Sequence, residues 1–266
     1  MLQTMYQYRF PGLYLDHSTY IAPAPDLLYR HTHSRYELLY ILSGDITHVV
    51  EDRKYKLHKH DLVIVKANQY HFIQIDSSAD YERYNLLFDP VALGLDNILR
   101  LPEGLEVLSC RHRAVITELF RKLDYYQAVL SQQDLQDMTA LLLKELLYNL
   151  SLSQEAQGRA PTENMHPLVG KALAIMNADL NSVESVDWVA KQLYVTESYL
   201  HRLFKRELKT TPLKYITEKR LIVAQSLLRQ GKTPTQVYEE CGFSDYSSFY
   251  RSYRSFFGYA PSEESK

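Results

Sequence analysis

The spacing of apolar residues changes character along this 266-residue chain. Between about residues 14 and 88, apolar positions fall in short β-branched or aromatic runs, at 37–42, 46–50, 55–57, 62–65, 71–75 and 84–88. Turn-forming residues separate them, around Gly44, Asp52 and Asn68. Short strands at regular spacing predict a barrel or jelly roll. Beyond His112 the period lengthens to that of a helix. Val115, Ile116, Leu119 and Leu123 make one stripe, and Leu135, Met138, Leu142 and Leu146 a second. They predict two helices forming an antiparallel hairpin or a dimer seam. Leu119, Leu123, Leu142 and Leu146 are the residues expected to hold a homodimer. Residues 151–161 are polar and unpatterned, as expected of a linker.

The remainder of the chain repeats one layout. Residues 186–205 and 235–254 each read as a short amphipathic helix, a tight turn, a capping hydroxyl and a second helix. Thr196 and Ser244 are the expected caps, each able to accept from orphan amides of the following turn. In the first unit Leu200, Leu203 and Phe204 make the buried stripe, which turns Glu197, Ser198, His201, Arg202 and Lys205 outward. In the second, Phe249, Tyr253 and Phe256 make it, leaving Tyr246, Ser247, Tyr250 and Arg251 exposed with Arg254 flanking. Any solvated helix shows polar residues on its outer face. Two capped units in series, each with an Arg on its second exposed turn, point instead to a reader of duplex DNA. Arg can fork onto guanine O6 and N7, while Ser, Thr and His reach base edges or phosphates.

A helix opening at Thr211 and Pro212 and closing at Gly231 joins the two units. About 18 residues at 1.5 Å each span roughly 27 Å, of the order needed to seat two readers in successive grooves about 34 Å apart. From Arg202 to Lys232 there are nine basic residues (202, 205, 206, 209, 214, 219, 220, 229 and 232) against Glu207 and Glu218. That local excess suits phosphate neutralisation.

Residues from about 167 to 262 resemble the DNA-binding domain of the AraC/XylS transcription regulators. The likeness rests on Ala190, on Leu200, His201, Arg202, Leu203, Phe204 and Lys205, and on Thr211 and Pro212. It continues through Arg220, Leu221, Ala224, Leu227 and Leu228, then Cys241, Gly242, Phe243, Ser244 and Asp245. Phe249, Tyr250, Arg251, Phe257, Gly258 and Pro261 complete it. The resemblance implies seven helices with two helix-turn-helix motifs. By position it implies base-reading roles for Thr196, Ser198, His201 and Arg202, and for Tyr246, Ser247, Tyr250 and Arg251. Three positions depart from the family pattern. Tyr194 and Lys209 stand where a Gly usually takes a left-handed turn, and Tyr238 stands where a small Ala sits at a helix crossing.

Composition narrows the class. Hydrophobic residues make up 45% and charged residues 23%, with a formal net charge of −2. Fourteen basic and twelve acidic residues lie from Pro161 onward, so the charge is split between the halves. DNA binding must then come from clustered rather than bulk charge. Cys110 and Cys241 are far apart and have no metal-site spacing. No apolar stretch approaches 18 residues and no charged leader precedes an apolar run, so a cytoplasmic protein with no membrane partner is expected.

In the barrel segment, His31, His33, Glu37 and Gly44 resemble the first cupin motif, and His71 matches the His of the second. In the second motif Lys66 and Ala67 replace the usual Pro-rich turn, although Asp61 remains. In metal-binding cupins three His and one Glu converge on a divalent ion. The other reading has no resident cofactor: His31, His33, Glu37, Tyr40 and His71 line a pocket and hydrogen-bond an organic effector. Tyr14, Tyr29, Tyr36, Tyr40, Tyr70 and Tyr84 crowd the same segment. Their flat faces and hydroxyls suit a sugar or another small polar ligand.

The expected fold is α+β in two domains. A cupin-like effector barrel over 1–110 carries a helical dimerisation hairpin over 111–152. A linker over 153–163 leads to an all-α DNA-binding domain over 164–266. The resemblance implies a non-enzymatic, homodimeric transcription regulator with double-stranded DNA and a small effector as partners, and RNA polymerase as a further one if it is an activator. The alternative is a cupin metalloenzyme, a dioxygenase or isomerase, whose helical half serves assembly.

Overall fold

The computed structural model describes residues 1–24, 31–98, 101, 104–152 and 158–264. The N-terminal half is two antiparallel sheets. One has six strands in the order β1 (Leu2–Phe10), β2 (Leu13–Tyr20), β8 (Tyr81–Phe88), β3 (Tyr36–Ser43), β6 (Asp61–Val65) and β9 (Val107–Ser109). The other has four, β10 (Glu163–Asn164), β5 (Arg53–Lys56), β4 (Ile46–Val50) and β7 (His71–Ile75). Leu39, Ile41, Val50, Val63, Ile73 and Tyr81 form an apolar cluster shared by both sheets. β1 went unread in the sequence, although Tyr6, Tyr8 and Phe10 alternate with Gln7 and Arg9 over its second half; the first half is exposed. β9 and β10 are too short to give an alternating signal.

Strand alternation divides β3 and β8 between two environments. Leu38, Tyr40, Tyr84, Leu86 and Phe88 share one cluster with helices α1 (Ala114–Val129) and α2 (Gln132–Leu152). Leu119, Leu123, Leu142 and Leu146 lie in that same cluster, each less than a tenth exposed. This corrects the expected dimer seam: those four leucines bury themselves against the sheet of their own chain. The apolar groups that the hairpin exposes are others, among them Val115, Leu141, Tyr148 and Leu152.

The C-terminal half has six α-helices and a closing 3-10 turn, Pro261–Glu263, where the family resemblance implied seven helices. They are α3 (Pro167–Ala178), α4 (Val186–Gln192), α5 (Glu197–Glu207), α6 (Pro212–Arg229), α7 (Pro234–Glu240) and α8 (Tyr246–Phe257). Thr196 Oγ1 accepts from Tyr199 N at 3.2 Å and caps α5. At α8 the cap is Asp245 rather than the expected Ser244. Its carboxylate accepts from Ser248 N at 2.8 Å, and its negative charge also suits the positive end of the helix.

Both non-glycine turns are left-handed, with φ of 56° at Tyr194 and 54° at Lys209. Such a conformation costs an L-residue about 1–2 kcal/mol. Tyr194 is 97% exposed, so its ring offsets little of that strain. Tyr194→Gly and Lys209→Gly are each expected to raise stability by roughly 0.5–1 kcal/mol, after the added chain entropy of Gly. Urea midpoints check this, and an unchanged or lower midpoint in both variants would contradict it.

The two halves are tied together. Of the expected linker, residues 153–157 lie outside the described residues. Residues 158–163 are pinned along the barrel: Arg159 N donates to Val107 O, Thr162 N donates to Lys54 O, and β10 pairs with β5. Val49, Tyr70 and Phe72 join an apolar cluster with Val169, Leu173, Tyr215 and Ile216. Beside it, Glu51 accepts from Lys219 Nζ at 2.6 Å, from the Tyr215 hydroxyl at 2.6 Å and from Tyr70 N at 2.9 Å. Lys219 also donates to the Asn68 carbonyl. α3 approaches so closely that a Cβ on Gly170 would sit 2.7 Å from Asp52 Oδ2 and would require that side chain to shift.

Candidate functional site

The opposite face of β3 and β8 lines a cavity of about 340 Å³. Arg35, Glu37 and Leu39 come from β3 and the residues before it, Arg83, Asn85 and Leu87 from β8, and His71, Phe72 and Ile73 from β7. Arg9, Tyr14, Tyr20 and His31 complete the wall. His31, His33, Glu37 and His71 converge, with one ligand atom of each within 4.8 Å of all the others. The isolated bridge between His31 and His71 holds the first segment against β7.

Tyr40 is corrected out of the expected pocket. It lies on the far face of β3, buried and stacked 4.3 Å from Phe120, with its hydroxyl 2.8 Å from His60 Nδ1 and 3.0 Å from Thr117 Oγ1. Tyr36 and Tyr84 share that face, and Tyr70 belongs to the cluster between the halves. Tyr29 lies outside the described residues. Of the five tyrosines among the described residues, Tyr14 lines the cavity, joined by Tyr20. Arg9, Arg35, Arg83 and Asn85 were missed in the sequence, although Arg35, Glu37 and Leu39, and Arg83, Asn85 and Leu87, alternate in step.

The donor chemistry of the cluster suits a cation. Nδ1 of His33 lies 2.9 Å from the Arg35 carbonyl, and Nδ1 of His71 lies 2.9 Å from the Gln69 carbonyl. A carbonyl only accepts, so each Nδ1 carries the hydrogen. Both Nε2 atoms then face Glu37 Oε2, at 3.2 and 2.8 Å. Burial opposes ionisation of Glu37, but the His33 and His71 hydrogen bonds outweigh it and hold its carboxyl well below the usual range. An anion against two Nε2 atoms requires either protonated imidazoles or a metal ion, and a ligating His commonly donates its other N–H to a carbonyl in this way. The residues therefore fit a divalent ion. Burial, with the charge of His71 nearby, pushes His48 down to about 3, and neither of its ring nitrogens has a hydrogen-bond partner among the described residues.

The second candidate surface is formed by α5 and α8. Thr196, Ser198, Arg202, Lys205, Tyr246, Ser247 and Arg251 are exposed, and His201 and Tyr250 are half-buried. His201 Nε2 lies 3.4 Å from Glu197, and Arg202 sits 5.4 Å from the Tyr199 ring. Tyr246 meets the ring of Tyr238 edge-on at 5.8 Å, so the bulky residue of α7 packs against a position expected to read bases. Most of the nine basic residues between the readers are spent internally. Arg206, Lys214, Lys219, Arg229 and Lys232 pair with carboxylates, and Arg220 donates to the Leu180 and Val183 carbonyls. Among the described residues, Arg202, Lys205 and Lys209 are the three left with neither kind of partner.

Both halves of the chain match known protein families. Residues 14–151 match the model of the AraC-like ligand binding domain, and residues 189–266 match a helix-turn-helix domain. The HTH-type transcriptional regulator ArgR of Pseudomonas aeruginosa is 31% identical over 147 residues, covering 53% of this chain and 45% of that protein. The chain thus spans less than half the length of that relative. The HTH-type transcriptional activator RhaR of Enterobacter sp. (strain 638) is 24% identical over 233 residues, covering 82% of this chain and 80% of that one. Among solved structures, an apo variant of ToxT from Vibrio cholerae covers 94% of this chain and 96% of its own, with a TM-score of 0.41 and 15% identity.

Proposed function

Because the chain belongs to the family defined by the AraC-like ligand binding domain, we propose that it is a transcription regulator that binds duplex DNA and responds to a small effector held in the N-terminal cavity. The observation that carries this reading is the physical link between the two surfaces. On β7, His71 and Ile73 face the cavity, while Tyr70, just before the strand, packs into the cluster it shares with α3 and α6. Phe72 belongs to both. An effector that moves β7 therefore acts directly on α6, the rod between the two readers. A ligand shifts such an equilibrium only by its differential contacts with the two states, and those contacts are assigned here to β7.

Thr196, Ser198, His201 and Arg202 are assigned to one major-groove segment, and Tyr246, Ser247, Tyr250 and Arg251 to the next. Lys205 is assigned to phosphate. His31, His33, Glu37 and His71 are assigned to the floor of the effector site, where they would hold a divalent ion. Such an ion would supply a positive centre for an effector oxygen. No relative named above is an enzyme, and nothing favours the metalloenzyme alternative. Among the described residues no helix is long and apolar enough to cross a membrane. The work of such a regulator lies in the cytoplasm, with RNA polymerase as a further partner.

The homodimer is assigned to the outer face of α2. Leu141 is 59% exposed, and Tyr148 and Leu152 follow it on the same side of the helix. Leu141→Lys is expected to sediment as a monomer at micromolar concentrations where the parent is dimeric. A variant that stays dimeric there would contradict this seam. The functional reading itself is tested by fluorescence anisotropy of the full chain on selected duplexes, with and without effector. Tight, effector-modulated binding supports it, and absence of any preference for selected over random duplex would overturn it.

A further inference from the structure

We infer that the effector of this cavity is a small organic acid, whose carboxylate is taken by Arg35 and Arg9. The inference rests on the reading of the cavity as the effector site and names the class of molecule that it takes. Three arginines and a single carboxylate line the cavity. The Glu37 carboxylate is engaged by His33 and His71. Arg83 is held by Asp16 at 2.7 Å. No carboxylate pairs with Arg9 or Arg35 among the described residues. Arg9 is exposed at the mouth, with its guanidinium 5.0 Å from the Tyr14 ring, and Arg35 is half-buried.

Two unpaired guanidiniums beside a partly enclosed space favour an anion, because a planar fork matches a carboxylate with two parallel hydrogen bonds. The amide of Asn85 adds a separate requirement, for a hydrogen-bond donor. Asn85 is 7% exposed, and its Oδ1 is buried without a hydrogen-bond partner among the described residues. A buried acceptor left unpartnered is costly, and a hydroxyl elsewhere on the effector would donate to it. Leu39, Ile73 and Leu87 supply an apolar wall for the rest of the molecule. At about 340 Å³ the cavity stands at the low end for small-molecule sites, so the acid is small. A neutral sugar would leave both guanidiniums unmatched.

The test is calorimetric titration of the full chain with matched probes: benzoate against benzamide, glucuronate against glucose, and phenyl phosphate. Melting midpoints with each probe run in parallel, since a molecule bound only to the native state raises the midpoint. Benzoate or glucuronate is expected to bind at millimolar concentration and raise the midpoint, and its neutral partner is not. Arg35→Gln should weaken the acid at least about tenfold, Arg9→Gln less, and Arg35→Lys should retain part of the affinity. Ligand-free midpoints of the variants verify that they fold. Equal binding of neutral and acidic partners, no binding of either acid, binding of phenyl phosphate alone, or full affinity in Arg35→Gln would each overturn the inference. Selected-duplex binding is measured on the same samples. Its survival alongside failed acid binding overturns the ligand class alone, whereas its loss in the unmodified chain overturns the regulator reading.

Discussion

Lys219→Ala is expected to destabilise the protein by about 3–5 kcal/mol, the cost of leaving one partner of a buried ion pair alone. The Lys219 and Glu51 side chains are 7% and 12% exposed, and their charged atoms lie 2.6 Å apart. Without Lys219, Glu51 keeps the Tyr215 hydroxyl, the Tyr70 amide and a long contact from Asn177 Nδ2, but loses the one cation that pairs with it among the described residues. Burial, and then the charge of Glu51, hold the Tyr215 hydroxyl protonated, so it remains a donor. Hydrogen bonds from neutral donors do not replace a charge. Lys219→Met with Glu51→Gln should recover much of the loss, because removing both charges removes the uncompensated one. Denaturant melts of the two single variants and the double variant measure the coupling. A Lys219→Ala variant within about 1 kcal/mol of the parent would show that the halves do not depend on this contact. The same variant should bind the effector normally yet transmit it poorly to DNA, since the contact anchors the barrel to α6.

Arg202→Ala and Arg251→Ala are each expected to cost about 1–3 kcal/mol of specific DNA binding and to relax preference locally, at different positions of the site. Both guanidiniums are on exposed helix faces. Among the described residues Arg202 pairs with no carboxylate, and Arg251 has a weak contact at 3.4 Å to Ser248 Oγ. Lys205→Ala should weaken binding to every duplex similarly and reduce the salt slope, as loss of a phosphate contact does. Because so few cations between the readers remain unpaired, each should carry an unusually large share of the electrostatic affinity. Competition binding against duplexes with single base changes reports this. Unchanged preference in both Arg variants would remove α5 and α8 as readers.

The tandem units were legible because their signals are local. Caps, the period of Leu200, Leu203 and Phe204, and the Thr211 and Pro212 helix start all lie within a few residues of what they specify. The one local error, Ser244 for Asp245 as the cap of α8, is a shift of a single residue between two good acceptors. The barrel was legible as strands but not as faces. Tyr40 and Tyr84 read as pocket residues on composition, yet alternation with Glu37 and Leu39, and with Arg83 and Asn85, turns them to the helical hairpin. The hairpin leucines were seen correctly as a seam, but its partner is the sheet of the same chain, which sequence periodicity does not identify. Least legible was the link between the halves. Glu51 and Lys219 are 168 residues apart, and neither stands out from a solvated charge until the fold brings them together.

The most direct test of the account is footprinting of the full chain on duplexes enriched from a random pool. The account predicts two protected segments about one helical turn apart on one face of the duplex, one lost in Arg202→Ala and the other in Arg251→Ala. A single protected segment unaffected by Arg251→Ala, or no enrichment by a folded protein, would contradict it.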